Sequence, residues 1–356
     1  DAILVRSADM HAMEIPASVK AVARAGAGTN NIPVPALSQR GVPVFTAPGA
    51  NANAVKELVL AGLFLAARHV CEAWDFVRGL KEEGEALETA VEQGKKRFVG
   101  RELPGRTLGV VGLGAIGVEV ANAAHLLGMR VLGYDPQITV QRAWQLSSGV
   151  EQALSLDDLF ARADFVTLHV PLVAETRAMV NAGRLQLLRQ GATLLNFARA
   201  GIVDEDAVIA ALESGKLSSY VCDFPSPRTR NHARVVALPH LGASTSEAEE
   251  NCAMMVADTL RDFLENGNIR HSVNFPGAAL PRVPGTSRIA IANSNVPNMV
   301  GQISTRLAEA GLNIADLLNK SRGEIAYTLI DVDGQVPAGL VDRIGGIEGV
   351  LNARAV

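Results

Sequence analysis

The residue types best suited to acid–base chemistry and anion binding follow apolar runs that are typical of strands. His240 comes shortly after the run 235–238, and an imidazole titrates near neutral pH, so it could move the proton that accompanies a hydride transfer. Arg199 follows Leu194-Leu195-Asn196, where a guanidinium could bind a carboxylate through two parallel hydrogen bonds. The alternatives are a capped structural histidine at His240 and a surface ion pair at Arg199.

Asp223 and His169 also stand where predicted strands end. Asp223 could orient the amide group of a nicotinamide or support His240, and the alternative is an ordinary carboxylate in a turn. His169 lies in the segment Leu-His-Val-Pro and is interpreted as a residue that lines a crevice. The remaining histidines show no clustered ligand spacing, so the sequence predicts no metal site; they are His11, His69, His125, His232 and His271.

A glycine-rich turn between two predicted strands indicates a dinucleotide-binding site. Gly112, Gly114 and Gly117 join the strand 108–111 to a helix. In order, they permit the tight turn, the approach of a pyrophosphate and the close packing of helix on strand. Asp135 ends the next strand, where a carboxylate can accept both ribose hydroxyls and repel a 2′-phosphate. The pattern predicts NAD rather than NADP, and tight packing alone is the alternative interpretation of the glycines.

Alternating strands and helices position these residues, and this alternation predicts a parallel sheet with covering helices. Residues 1–65 predict a small α/β unit. An apolar helix at 55–70 and a charged surface stretch at 81–97 are predicted to follow it. Ligands bind outside the carboxyl ends of the strands in such sheets. Beyond Asp135 the predicted strands are 165–170, 193–196, 220–222 and 235–238, and the predicted helices begin near Leu156, Asn181, Asp204 and Ser244.

The C-terminal part of the chain has a different order of elements. Ser244 and Glu247 predict a capping box at the start of a helix that extends to about residue 265. Prolines and glycines between 276 and 285 predict a linker. Residues 288–356 then follow a βαββαβ pattern, which predicts a small ferredoxin-like module for regulation or interaction.

Length and composition set the broad class. A chain of 356 residues predicts two or three domains. Its net charge of −4 gives no electrostatic reason to expect a nucleic-acid partner, and no apolar run is long enough to predict a membrane span. Cys71, Cys222 and Cys252 are scattered and odd in number, which predicts buried, reduced thiols in the cytoplasm.

Taken together, these motifs resemble the D-isomer-specific 2-hydroxyacid dehydrogenase family, and within it the members that act on phosphoglycerate and carry a C-terminal ACT module. The resemblance implies a Rossmann-type doubly wound NAD domain at 66–246, a flavodoxin-like substrate domain at 1–65 and 247–282, and an ACT domain at 283–356. It extends over essentially the whole chain, through the segments 5–7, 24–28, 47–51, 112–117, 168–171, 196–204 and 238–245.

The resemblance also implies roles for individual residues. Arg199 would bind the substrate carboxylate and His240 would act as acid and base, with Asp223 as the third catalytic residue. The implied cofactor-binding residues are Gly112, Gly114, Ala115, Ile116, Gly117, Asp135, Pro136, His169, Pro171, Ala198, Asp223 and Gly242. The implied substrate-binding residues are Arg6, Ser7, Arg24, Gly28 and Asn51, where the arginines suit a substrate with both carboxylate and phosphate. A small amino-acid effector would be bound by Asn293, Asn295 and Asn313.

Several features depart from the family pattern or leave alternatives open. The glutamate that the family places shortly after Asp223, as the partner of His240, is missing. Strands expected before Asp1 are missing as well, so we expect the substrate domain to be truncated at its N-terminus. The leading expectation is NAD-dependent oxidation of 3-phospho-D-glycerate by a homodimer or homotetramer. The alternatives are a glyoxylate or hydroxypyruvate reductase, which would not need Arg6 and Arg24, and an NAD-sensing corepressor. The C-terminal module could also serve assembly alone.

Overall fold

The computed structural model describes all 356 residues of the chain. It divides them into two compact units: the first unit holds Asp1–Ala50 and Glu249–Val356, and the second unit holds Asn51–Ala248. Both units combine helices with strands, which confirms the α/β class predicted from the sequence. No helix has both the length and the apolar character needed to cross a bilayer.

The N-terminal part of the first unit is a small parallel sheet. Its strands lie in the order β1 (Ala2–Val5), β2 (Ala21–Arg24) and β3 (Val44–Phe45), and helix α1 (Val34–Gln39) lies between β2 and β3 in the chain. Val5 at the end of β1 pairs with Arg24 at the end of β2. The carboxyl ends of these two strands therefore lie side by side.

The second unit is built on a parallel sheet of seven strands. In chain order its elements are α2 (Ala52–Ala67), α3 (Val70–Gly79), α4 (Gly84–Gly94), β4 (Thr107–Val111), α5 (Ala115–Leu126), β5 (Arg130–Tyr134), α6 (Val140–Ala143), β6 (Val150–Gln152), α7 (Leu156–Arg162), β7 (Phe165–Leu168), α8 (Ala182–Leu187), β8 (Ala192–Asn196), α9 (Glu205–Glu213), β9 (Leu217–Cys222) and β10 (Val235–Ala237). The strand order is β10-β9-β8-β7-β4-β5-β6, so the chain winds away from β4 in both directions. This is the predicted doubly wound sheet of Rossmann type.

Helix α2 lies in the second unit, whereas the sequence predicted that the substrate domain ends at residue 65 and the NAD domain begins at residue 66. Its buried side chains Val55, Val59 and Leu63 share an apolar core with residues of β4 and α5. Periodicity in the sequence identifies an apolar helix, but it does not say which sheet covers that helix. The difference therefore comes from tertiary packing.

Side-chain caps set the starts of most of the predicted helices. The capping residues Ser155, Asn181 and Asp204 each accept a backbone N–H from the first turn of α7, α8 or α9, which confirms those starts. The capping box predicted at Ser244 is wrong. Helix α10 spans Ser246–Asn266, and the hydroxyl of Thr245 accepts the N–H of Ala248.

The three cysteines differ in exposure, and all of them are free thiols. Cys222 and Cys252 are buried as predicted. The prediction is wrong for Cys71, which is only half-buried at the start of α3. That helix buries none of its side chains fully, and Cys71 packs against the apolar core of the second unit without being enclosed by it.

The C-terminal part of the first unit has the predicted βαββαβ order. Its elements are β11 (Thr286–Ser294), α11 (Met299–Glu309), β12 (Ile314–Arg322), β13 (Ile325–Asp333), α12 (Leu340–Gly345) and β14 (Val350–Ala355), and the antiparallel sheet has the order β12-β13-β11-β14. The segment predicted as a linker, 276–285, is packed in its first half, whereas residues 281–285 are mostly exposed. Phe275, Ala278 and Leu280 are buried in one core together with Phe45 of β3 and Tyr327 of β13.

Side chains of this antiparallel sheet cap the C-terminal end of α10. Arg288 is fully buried, forms two bonds of 2.6 and 2.7 Å to the carboxylate of Asp331, and donates to the carbonyls of Asn266, Leu280 and Pro281. Tyr327 donates to the carbonyl of Gly267, and Arg354 donates to the carbonyls of Phe263 and Leu264. The last carbonyls of a helix have no partner within the helix, and here the sheet supplies their donors.

Candidate active site

The carboxyl edge of the seven-stranded sheet brings together the residues of the second unit that the sequence singled out. In spatial order, His240 follows β10, Asp223 follows β9, Asn196 ends β8, His169 follows β7 and Gly112 follows β4. Asp135 follows β5, the next strand along the same edge. The chain reverses its winding between β4 and β7, which is where open α/β sheets bind their ligands.

The glycine turn after β4 is closely packed on one side and open on the other. Gly112 has φ +90°, and a Cβ there would lie 2.7 Å from the carbonyl oxygen of His169. A Cβ on Gly117 would overlap the carbonyl oxygen of Gly112. A Cβ on Gly114 would meet nothing within 4 Å. Helix α5 begins here with Ala115 and Ile116, and no side chain caps it, so its first N–H groups can bind a phosphate.

Asp135 is held by two backbone groups. One carboxylate oxygen accepts the N–H of Leu113 in the glycine turn at 2.8 Å, and the other accepts the N–H of Gln137 at 2.9 Å. Each oxygen keeps acceptor capacity for a hydroxyl group. Pro136 follows and is exposed. The open face at Gly114 and the fixed carboxylate at Asp135 fit the pyrophosphate and the ribose of NAD.

Asp223 is a buried carboxylate with one unused oxygen. Its side chain is 1% exposed; Oδ2 accepts the N–H of Gly242 at 3.3 Å, whereas Oδ1 has no partner. Burial raises the pKa of the Asp223 carboxyl, and the nearby charges of His240 and Arg199 oppose this rise. An unpaired buried acceptor at this edge suits an amide N–H donor such as that of a nicotinamide.

His240 is exposed and has an unusual backbone conformation. Its φ of +36° is rare for a residue other than glycine. The backbone N–H donates to the carbonyl of Asp223 at 2.9 Å, and the imidazole packs against Phe224, with ring centroids 4.7 Å apart. The proposed pairing of His240 with Asp223 is therefore a backbone hydrogen bond, and no carboxylate is bonded to the imidazole. Phe224 is a neighbour that sequence reasoning missed.

Arg199 is exposed, and the buried side chain of Asn196 holds its loop in place by hydrogen bonds. The guanidinium donates to the carbonyl of Ala198 at 2.6 Å and forms no ion pair, so the alternative of a surface ion pair is not what the structure contains. Asn196 is fully buried; it donates to the carbonyl of Arg199 at 2.9 Å and accepts the N–H of Ala198 at 3.2 Å. Its position at the end of β8 was visible in the sequence, but this supporting role was not.

His169 lines the same edge as a neutral ring. Its Nε2 lies 3.0 Å from the hydroxyl of Thr167, and burial lowers the pKa of His169 to about 3. A ring that does not take up a proton near neutral pH is a poor acid, which agrees with the interpretation of His169 as a lining residue. Pro171 is exposed at the start of the following loop.

The first unit groups most of the predicted substrate-binding residues at the carboxyl ends of β1 and β2. Arg24 donates from Nε to the carbonyl of Arg6 and from Nη1 to the carbonyl of Gly28, both at 2.9 Å. Arg6 forms an ion pair of 2.6 Å with Glu249 of α10. Ser7 is exposed next to them. Sequence reasoning missed Glu249.

Asn51 is not part of this group, because it belongs to the second unit, at the start of α2. Sequence reasoning also missed Asn31, whose side-chain amide donates to the carbonyl of Ala8 at 2.7 Å. This hydrogen bond helps to fix the loop that follows β1. Neither a predicted strand end nor a recognisable motif marks Asn31 in the sequence.

The three asparagines of the C-terminal sheet have different environments. Asn293 is 1% exposed and lies where the pairing of β11 with β14 is irregular; its Nδ2 donates to the carbonyl of Ser294, and its Oδ1 has no partner. Asn295 is exposed and donates to the carbonyl of Gly323. Asn313 is exposed and donates to the carboxylate of Asp333.

Comparisons with known proteins identify relatives of the chain. Residues 60–242 match the sequence model described as D-isomer specific 2-hydroxyacid dehydrogenase, NAD binding domain. The chain is 38% identical to D-3-phosphoglycerate dehydrogenase of Synechocystis sp., over 99% of this chain and 63% of that protein. It is 34% identical to the enzyme of that name from Haemophilus influenzae, over 92% and 79%. The structure is similar to NAD+-bound 3-phosphoglycerate dehydrogenase of Entamoeba histolytica, with a TM-score of 0.58, 30% identity and coverage of 77% and 82%.

Proposed function

Because the chain belongs to the D-isomer-specific 2-hydroxyacid dehydrogenase family, whose matched domain binds NAD, we propose that it oxidises 3-phospho-D-glycerate to 3-phosphohydroxypyruvate, the first step of L-serine synthesis. The chain spans 63% of the length of its Synechocystis relative, so the activity is proposed for this chain and not transferred from the longer protein. The observation that carries the proposal is the pair Arg6 and Arg24 at the carboxyl ends of neighbouring strands, because an unphosphorylated 2-hydroxy acid has no second anion to bind there.

In this proposal the residues of the second unit act on the carbon that is oxidised. NAD, when bound, supplies the acceptor for a hydride. Arg199 binds the substrate carboxylate through its exposed guanidinium, and Asn196 keeps the Arg199 loop in place. A ring nitrogen of His240 takes the hydroxyl proton as the C–H bond breaks and the ketone forms. The unpartnered Oδ1 of Asp223 accepts a hydrogen bond from the N–H of the nicotinamide amide and so orients that group.

We also propose that each domain has the role expected from the sequence. Residues 1–65 and 247–282 would bind the substrate, 66–246 would bind NAD, and 283–356 would form a regulatory ACT module in a cytoplasmic homodimer or homotetramer. The unpartnered Oδ1 of the buried Asn293 supports a small amino-acid ligand, with Asn295 and Asn313 nearby in sequence as further ligands. Calorimetry with serine and glycine tests this part, and no heat at millimolar ligand would favour a module for assembly only.

Steady-state kinetics with NAD and three substrates tests the activity. We expect kcat/KM to be highest for 3-phosphoglycerate and much lower for D-glycerate and D-lactate. Arg24→Ala should lower kcat/KM for 3-phosphoglycerate about ten-fold or more, because one charge-assisted hydrogen bond is worth about 1.5 to 3 kcal/mol, and should change that for D-glycerate far less. Equal efficiency with phosphorylated and unphosphorylated substrates would reject the proposal in favour of another dehydrogenase of the family.

His240→Asn provides a separate test of the chemistry. It should lower kcat by about 10²- to 10⁴-fold, because a positioned acid or base contributes about that much. The affinity for NAD, measured by calorimetry, should not change, since the ring of His240 has no proposed contact with the cofactor. A loss of NAD binding equal to the loss of kcat would contradict the assignment of His240 as the base.

A further inference from the structure

The ion pair between Arg6 and Glu249 joins the carboxyl end of β1 to the first turns of α10. Nη2 of Arg6 lies 2.6 Å from Oε1 of Glu249, and the two side chains are 45% and 53% exposed. Cys252 lies one turn further along α10 and is buried. Burial raises the pKa of its thiol, and the nearby charges of Arg6 and Arg24 oppose this rise. Glu249 is thus an anionic residue of α10 that faces Arg6.

The geometry leaves Arg6 able to exchange its partner. Only one of its N–H groups is used by Glu249, so the planar guanidinium keeps donors for a second anion. Arg24 is held differently, because two of its N–H groups bind the carbonyls of Arg6 and Gly28. The guanidinium of Arg6 is therefore paired with a charge that a ligand could replace.

We propose that Glu249 is a specificity-determining residue, whose carboxylate occupies Arg6 until the phosphate of the substrate displaces it. The inference rests on the proposed function, since it assumes a phosphorylated substrate. A ligand without phosphate leaves the Arg6–Glu249 pair closed and gains nothing from Arg6. A phosphate can displace the carboxylate because it offers more charge and more acceptor oxygens to the same guanidinium.

A purely structural role for the pair would be a weak one. Exposed ion pairs contribute little to stability, so the pair is not needed to hold β1 against α10. The same small energy sets the cost of opening the pair. Removing the competing carboxylate should therefore tighten phosphate binding by roughly two- to six-fold, the factor that corresponds to a typical exposed pair.

The test compares Glu249→Gln with Glu250→Gln. Both variants remove one negative charge from an exposed position of α10, but Glu250 forms no ion pair in the structure. Glu249→Gln should lower KM for 3-phosphoglycerate and the calorimetric Kd for inorganic phosphate by roughly two- to six-fold, with kcat and KM for D-glycerate unchanged. Glu250→Gln should leave all four values unchanged.

Two outcomes would overturn the inference. A KM for 3-phosphoglycerate that rises in Glu249→Gln would show that the carboxylate positions Arg6 and does not compete for it. Equal effects in the two variants would show that only net charge matters. If the unmodified protein does not prefer 3-phosphoglycerate, the proposed function fails, and the Kd for inorganic phosphate still decides whether Glu249 competes for Arg6.

Discussion

The imidazole of His240 lies against the ring of Phe224, with centroids 4.7 Å apart and ring planes inclined at 49°. No carboxylate is hydrogen-bonded to this imidazole, although the histidine–carboxylate pair is what family resemblance leads one to expect. The ring is therefore oriented by an aromatic contact and by the backbone hydrogen bond from His240 to Asp223. Phe224 stands directly after Asp223, so one short segment supplies both the buried carboxylate and this contact.

Replacing Phe224 should slow catalysis without abolishing it. An aromatic contact of this kind is worth about 0.5 to 1.5 kcal/mol, so Phe224→Leu should lower kcat by roughly two- to ten-fold while KM for NAD stays the same. Phe98→Leu is the matched control, because Phe98 forms a similar tilted pair with Phe76, with centroids 5.5 Å apart, away from the strand ends. An unchanged kcat in Phe224→Leu would show that the ring does not orient His240.

Replacing Asp223 should stabilise the fold while weakening the cofactor site. Burial raises the pKa of Asp223 above its unfolded value of about 3.9, so the folded state binds a proton more tightly than the unfolded state. Stability therefore falls as pH rises through the folded pKa, and the ionised carboxylate costs stability at neutral pH. Asp223→Asn should raise Tm at pH 7, and this gain should disappear below about pH 3.9. Differential scanning fluorimetry across pH checks the sign, and a Tm that falls at pH 7 would contradict it.

The glycines of the turn should respond in opposite ways to an added methyl group. Gly117→Ala should cost about 1 to 3 kcal/mol of unfolding free energy, because its Cβ would overlap the backbone of Gly112. Gly114→Ala should change stability by less than about 0.5 kcal/mol, since its Cβ would meet only open space. Its KM for NAD should nevertheless rise, because the methyl group enters the space proposed for the pyrophosphate. Urea unfolding and kinetics together separate the two effects.

The preference for NAD over NADP should depend on the charge of Asp135. Asp135→Asn keeps an oxygen that can accept the N–H of Leu113, whereas Asp135→Ala removes that hydrogen bond as well. Both variants should use NADP better than the unmodified protein, because the repulsion of the 2′-phosphate is gone. Only Asp135→Ala should also lose stability. Equal kcat/KM for NAD and NADP in the unmodified protein would refute this role of the carboxylate.

The sequence predicted those features that depend on neighbouring residues. The helix starts at Asn181 and Asp204 and the glycine turn after β4 are local patterns, and the structure has them where they were expected. The helix start at Ser244 was missed because Thr245 offers the same capping group one position later. Local patterns of this kind cannot separate two adjacent hydroxyl residues.

Features that depend on distant residues were not predictable in this way. The pair of Arg6 and Glu249 joins residues 243 positions apart, and the core that α2 joins is defined by strands later in the chain. The contact between Phe224 and His240 depends on how the loops after β9 and β10 fold back on each other. No periodicity or spacing in the sequence carries that information.

The donors that the C-terminal sheet supplies to α10 have a consequence for how the protein melts. Deleting residues 283–356 would strip Arg288, Tyr327 and Arg354 from the helix end and open the core that Tyr327 shares with Phe45. The C-terminal sheet and the N-terminal strands should therefore lose their structure in a single cooperative endotherm, so that the chain shows two heat-absorption peaks where three modules were inferred from its sequence.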